Sequence, residues 1–399
     1  MILEDFYQRF LARLEHFLSS EYWLLKLVAC CVALSLFLAF PPYTLLLDHF
    51  SASGAKLDAW LFIHNQAQDL LHPADYTLGV RREAMVFRWV LPALYYLTGG
   101  KLLVILGVQF ALAVGFIYLL GRFCYQLFQN KVLTALVLLA VSNIFVSVWS
   151  FADVHGYGDG IAYFFILLAL TSQKKWVVGL AMLVAYFTDE RAVVAGGYVL
   201  IFWAIIQADR DGKADFWSIL KSMFTGRSLM VWLAWVLYLS IRMYVKYTYF
   251  QAHHYSAVGL PVMFENQHRN GIGSSLWTAF EGTWLLLLAG ALILKLQKRN
   301  WLLLLFVLGF LVLITTGIYV HDIDRAFGYG FPFILLSVAI LKRHTSTPVL
   351  TLLLFIAMVL CVLEPQVFTM GYNKIVWLEP LPVKGLMVLS RYFGWGIFM

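Results

Sequence analysis

Apolar stretches long enough to cross a bilayer alternate with short polar clusters from Trp23 to Leu363, and no long polar segment divides them. The pattern predicts successive helices in a single transmembrane domain over residues 23–363. Ahead of it, Ile2, Leu3, Phe6, Phe10, Leu14, Phe17 and Leu18 recur at helical spacing, with Arg9 and Arg13 off that face. This predicts an interfacial helix within residues 1–22, on the cytoplasmic side. Glu4, Asp5 and Glu15 and the lack of a small-residue cleavage site argue against a signal peptide, so the first span is expected to stay as an anchor. One apolar piece departs from the pattern. Met85 to Leu97 is short, carries Arg88 and Pro92, and runs into Gly99-Gly100, so it is expected to lie on the surface or re-enter rather than cross. About eleven crossings then follow, beginning near residues 23, 102, 132, 159, 176, 192, 228, 276, 301, 326 and 348. Residues 364–399 are left outside or re-entrant, with a twelfth crossing over 383–399 kept open.

Composition agrees with this all-α, polytopic reading. The chain is 62% hydrophobic, only 13% charged, and has a mean hydropathy of +0.79, which excludes an ordinary soluble domain. A net charge of +7 would suggest nucleic acid in a soluble protein; in a membrane protein the placement of the charges says more. Bare basic clusters at Arg122/Lys131, Lys174/Lys175, Arg210/Lys213/Lys221/Arg227, Lys295/Lys298/Arg299 and Lys342/Arg343 fall at alternate ends of the predicted spans and mark the cytoplasmic face. No nucleic-acid partner is expected. Cys30, Cys31 and Cys361 lie within apolar spans and Cys124 beside Arg122, so neither a disulfide framework nor a zinc pattern follows.

The opposite ends mix acids, histidines and arginines. They include a first loop over 48–101, a middle loop over 248–275, the sequence Asp153-Val-His155-Gly-Tyr-Gly-Asp159, the triplet Asp189-Glu190-Arg191, and His321-Asp322-Ile-Asp324-Arg325. Ionisable groups at membrane depth are costly unless paired or lining a wet cavity. Any one cluster could merely flank two helix ends; several on one face point to a functional surface.

In this arrangement the chain resembles the GT-C superfamily of integral-membrane glycosyltransferases. An Asp some thirty residues before an Arg-then-Pro helix is similar to Asp58, Arg88 and Pro92; an Asp opening a helix is similar to Asp159. The charged motif Asp189-Glu190-Arg191 resembles the family's Lys-Glu type, although the Lys is absent. Asp322-Ile-Asp324-Arg325 before Phe331-Pro332 resembles its late Asp-x-x-Arg then Pro pattern. Surface-lying helices in the first extracytoplasmic loop are part of what the resemblance implies.

It also implies sugar transfer from a polyprenyl-phosphate-linked donor to a lipid-linked, glycan or protein acceptor on the extracytoplasmic face. A carboxylate must take the proton of the attacking hydroxyl, and cations must meet the charge growing on the leaving phosphate. Asp58 is the first candidate base and Asp48 the second, though Asp58 could serve as a helix N-cap. Arg325, then Arg88 and Arg191, are candidates for the donor phosphate, because guanidinium offers a planar fork; a local pair of Arg325 with Asp322 or Asp324 is the competing reading. Asp153, His155, Asp159, Asp189, Glu190, His321, Asp322 and Asp324 are the expected sugar and acceptor pocket. No metal or other cofactor is expected, since His253, His254, Glu265 and His268 match no compact ligand spacing. A transporter or flippase for a lipid-linked or anionic substrate, a polysaccharide polymerase and a non-catalytic assembly subunit are the alternatives. The short loops favour a bacterial inner membrane.

Overall fold

The computed structural model describes residues 2–50, 57–71, 85–212, 215–249, 260–269, 271–370 and 374–395, apart from a few side chains that include those of Asp48 and Asp58. It is nearly all helical. Five helices are long and apolar enough to cross a membrane: Leu102–Phe128, Arg191–Asp211, Ser228–Tyr249, Ile272–Leu296 with a break inside it, and Asn300–Ile318. A sixth candidate is bent by 61° between Lys131–Val141 and Phe145–Ala152. Shorter apolar helices include Trp23–Leu38, Asp159–Thr171, Lys175–Thr188, Thr347–Leu363 and Leu381–Ser390. These features are those of a multi-pass integral membrane protein.

Local chemistry sets many boundaries. Asn130 accepts the Leu133 N–H and caps Lys131–Val141, and Asp215 caps Phe216–Met223 through Ser218. Gly212, at φ +68°, ends Arg191–Asp211 in the left-handed conformation. Pro332, Pro348 and Pro382 stand in the first turns of Phe331–His344, Thr347–Leu363 and Leu381–Phe393, where a missing N–H is harmless.

Helix starts lie within a few residues of the expected crossings, but three of those crossings are discontinuous. Besides the bend at 142–144, Ile272–Phe280 passes through a 3₁₀ turn, Glu281–Thr283, before Trp284–Leu296. The crossing expected from residue 326 is instead a short helix, Ile323–Gly328, followed after a turn by Phe331–His344. Gly328, Gly330 and Pro332 make that interruption natural. Within Met85 to Leu97 lies the eight-residue helix Val90–Leu97.

Arg191–Asp211 is the central helix and mostly buried, whereas Ser228–Tyr249 and Asn300–Ile318 are mostly exposed. The latter two expose Leu233, Val236 and Leu237, and Leu304, Leu308 and Leu311, as lipid-facing helices do. Phe331–His344 is buried from Phe331 to Leu341. Gly290 lets Trp284–Leu296 approach Ser337 on that helix so closely that a Cβ would crowd the Ser337 side chain and backbone.

A second, separate cluster forms a cap. Leu46 of Thr44–Phe50, Trp60 and Ile63 of Asp58–Gln68, and Leu91 of Val90–Leu97 pack on Leu102, Ile105, Val154 and Ile161. The fold is not purely α. Val367–Met370 and Lys374–Trp377 pair antiparallel, Val367 opposite Trp377 and Met370 opposite Lys374. This corrects the all-α expectation for the tail: β-branched and aromatic residues on both sides of Gly371-Tyr372-Asn373 favour a hairpin. Phe368 seats it, meeting Phe145 edge-on at 4.9 Å.

Candidate functional site

The turn 153–158 is built around one carboxylate. Asp153 accepts the N–H groups of His155 (3.1 Å), Gly156 (3.2 Å), Tyr157 (3.3 Å) and Gly158 (2.7 Å). Gly156 and Gly158 take φ of +86° and +78°, and a Cβ on Gly156 would strike the Trp60 ring. Burial, with Asp159 nearby, pushes Asp153 up to about 6. Asp153 therefore shapes the turn rather than lining a pocket as expected; its lone pairs are occupied by backbone. His155 lies in an aromatic column, parallel to Trp149 at 6.0 Å and to Tyr157 at 5.6 Å. Burial, then the Arg325 charge, lowers it to about 4, so it is neutral at physiological pH.

Beside this turn lies a network of four carboxylates and three guanidinium groups. Arg325, on Ile323–Gly328 and only 3% exposed, donates Nε to Asp159 at 2.6 Å, Nη2 to Asp159 at 3.1 Å and Nη1 to Asp322 at 2.9 Å, and lies 3.4 Å from Asp189. Its guanidinium carbon sits 4.1 Å above the Tyr157 ring. Arg88, from the cap, grips Glu190 in a fork at 2.9 and 2.7 Å and reaches Asp189 at 3.1 Å. Arg191 binds Asp189 at 3.1 Å and Asp322 at 3.4 Å. The Tyr329 hydroxyl donates to Asp159 at 2.9 Å. Burial would raise Asp189, but Arg88, Arg191 and Arg325 overcome it and hold it at about 2.

Local turns assemble these charges from distant positions. Thr188 ends one helix, Asp189 accepts the Arg191 N–H at 2.9 Å, and Arg191 opens the central helix, so the triplet is held at a fixed bend. Asp159 opens Asp159–Thr171, where a carboxylate favours the positive end of the helix dipole.

The remaining expected residues divide. Asp324 is buried on the other side of its helix, accepting from Thr278 at 2.9 Å and from the Thr369 N–H; burial pushes it up to about 8 against those bonds. It ties the hairpin to the bundle and takes no part in the arginine network. His321 is half-buried on the turn before Asp322. Asp48 and Asp58 lie on described helices, but their side chains are outside the described residues. The start of the Asp58 helix is nevertheless fixed, by Leu57 N–H to His49 Nδ1 at 3.1 Å and by Trp60 Nε1 to the Val154 carbonyl at 2.8 Å. The cap is thereby fastened directly to the Asp153 turn.

The phosphate role expected for Arg325 meets a physical obstacle. Its donors are committed to carboxylates, and the network has no positive charge in excess. Tyr329 was missed by sequence reasoning, although Gly156-Tyr157-Gly158 recurs as Gly328-Tyr329-Gly330 and could have drawn attention to it. A cavity of about 40 Å³ lies against the network between Arg191, Tyr198, Thr316 and Tyr329, room for a few waters at most. Among the described residues no three His, Cys, Asp or Glu side chains gather as a metal site. Comparison with family models, curated proteins and solved structures returns no match.

Proposed function

We propose that this protein is an integral-membrane glycosyltransferase of GT-C type that moves a sugar from a polyprenyl-phosphate-linked donor to a lipid-linked, glycan or protein acceptor. One observation carries the reading: the residues through which the sequence resembles that superfamily meet at one end of the bundle. Arg88, Asp159, Asp189, Glu190, Asp322 and Arg325 share one network, and the helix opened by Asp58 docks beside it through Trp60.

In this reading the Asp58 carboxylate takes the proton of the acceptor hydroxyl as its oxygen attacks the anomeric carbon. The polyprenyl phosphate leaves with the bonding electron pair. The network fixes the Asp153 turn, the cap and the Ile323–Gly328 helix relative to one another, which is the preorganisation such transfer needs. On this reading the five long helices, the bent pair, Trp23–Leu38, Asp159–Thr171, Lys175–Thr188, Thr347–Leu363 and Phe331–His344 are taken as eleven crossings, with the network end extracytoplasmic, in a bacterial inner membrane. A reporter fused after Gly100 is then expected to signal from outside; a cytoplasmic signal there would reverse the topology.

Transport of a lipid-linked or anionic substrate is the second reading. It draws on two of the three discontinuous crossings, those broken at 142–144 and at Glu281–Thr283, since discontinuous helices often line transport pathways. The test is to incubate purified protein with a panel of radiolabelled polyprenyl-phosphate sugars and acceptors. Donor consumption with a labelled glycosylated product supports transferase; movement of intact donor across proteoliposomes without consumption supports transport.

A further inference from the structure

The arginines that the sequence offers for a phosphate are all held by carboxylates. An incoming phosphate would have to displace Asp159 or Asp322 from Arg325, or Glu190 from Arg88, in a network already one negative charge in excess. Arg242 is different. It lies fourteen residues after Ser228, about 21 Å along the Ser228–Tyr249 helix, towards the end that meets the cap. Its guanidinium carbon sits 4.6 Å from the centre of the Phe87 ring, the residue before Arg88, and Nη1 donates to the Tyr238 hydroxyl at 3.0 Å. Among the described residues no carboxylate pairs with it.

The surroundings point outward to lipid. Tyr238 packs edge-on against Phe187 at 5.0 Å, and Phe187 stacks on Trp89 at 4.9 Å, so Arg242 lies at the seam between the span and the cap. Met243, Tyr244 and Tyr247 on the same stretch are exposed, presenting an apolar and aromatic surface to lipid. Although Glu190 and Asp189 act on its partner Tyr238 from a distance, the guanidinium makes no direct ion pair with a described carboxylate, and its planar fork suits phosphate oxygens.

We propose that Arg242 binds the phosphate headgroup of a membrane lipid at the seam between Ser228–Tyr249 and the cap. The lipid becomes the sugar donor only on the function proposed above; the site itself rests on a guanidinium with no direct ion pair among the described residues and on the lipid-facing seam.

The test uses purified full-length protein and three probes measured by native mass spectrometry: farnesyl phosphate, farnesol and inorganic phosphate. Farnesyl phosphate is expected to bind, and the other two are not. Arg242→Gln is expected to weaken it about tenfold or more, the scale of losing a charge-assisted contact. Arg242→Lys is expected to recover part of the binding, and Arg227→Gln, at the other end of the helix, to leave it unchanged. Equal binding by wild type and Arg242→Gln, or by farnesol and farnesyl phosphate, overturns the proposal; tight inorganic phosphate binding replaces the lipid with a free anion. A melting curve on each variant identifies misfolding, in which case the Lys variant carries the comparison. Arg242-dependent binding without any donor consumption by wild type would leave this site standing and remove the transferase reading. Donor consumption by wild type together with equal farnesyl phosphate binding by wild type and Arg242→Gln would do the reverse.

Discussion

The central helix Arg191–Asp211 carries buried ion pairs at both ends, and the two ends are built differently. At its last turn Asp209, 3% exposed, is held by Arg343 at 2.9 Å and His344 at 3.0 Å, both from the last turn of Phe331–His344. That is a clamp between two neighbouring helices, with Arg343 nearly half exposed, and docking alone explains it. At the first turn, Arg191 joins a network whose members come from the cap, three helix-connecting turns and Ile323–Gly328. Buried charges of this number are often less stabilising than an apolar core of the same shape. A stability role accounts for the clamp, whereas the network points to work done at that end.

The largest effect should come from Arg325→Gln, which leaves Asp159 and Asp322 without their main partner in a buried site. Such a loss typically costs about 3–5 kcal/mol, so a large drop in melting temperature is expected, with Arg325→Lys only a partial rescue. A small effect there would mean that the network is as dispensable as the clamp.

The next effect depends on pH and separates the network from its neighbour Asp324. Asp324 is raised in the fold, so its stabilisation is complete below the ordinary value of 3.8 and is lost as pH rises through about 8. Asp189 is lowered, so its contribution is present above 3.8 and lost as pH falls towards about 2. Melting temperature is therefore expected to fall from about pH 4 and to level off near pH 8, and Asp324→Asn should flatten that slope without changing the acid limb. A slope that survives Asp324→Asn would assign it elsewhere.

The smallest effect is expected for Asp209→Asn. The amide keeps the shape and part of the hydrogen bonding to a half-exposed partner, so a loss of about 1 kcal/mol follows. Denaturation curves of Asp209→Asn and Arg325→Gln, measured side by side, give the ratio directly.

How much of this could be read beforehand depended on the range of the interactions. Helix starts at Trp23, Leu102 and Ser228 follow from apolar length and local polar residues, so they were legible. The pairing of Arg325 with Asp322 was foreseen as a competing reading because the two stand three residues apart. Its fork onto Asp159 was not, because nothing local in the chain marks a partner so distant. The helix breaks at 142–144 and 281–283 escaped notice because Asn143 and Glu281 sit within apolar runs, where composition alone favours continuity. Asp153 was assigned to the pocket because a charged residue near a glycine turn gives no sign of whether backbone amides will claim it. The clamp was also missed: Lys342 and Arg343 read as a bare basic end until Phe331–His344, with His344 in its last turn, is seen to lie alongside Asp209.

The most direct test of which end works is donor turnover in proteoliposomes containing wild type, Asp58→Asn or Asp209→Asn, each confirmed folded by its melting curve. We expect wild type and Asp209→Asn to consume a polyprenyl-phosphate sugar at similar rates and Asp58→Asn to fail. Equal turnover by Asp58→Asn, or loss of turnover in a folded Asp209→Asn, would contradict the assignment of the chemistry to the network end.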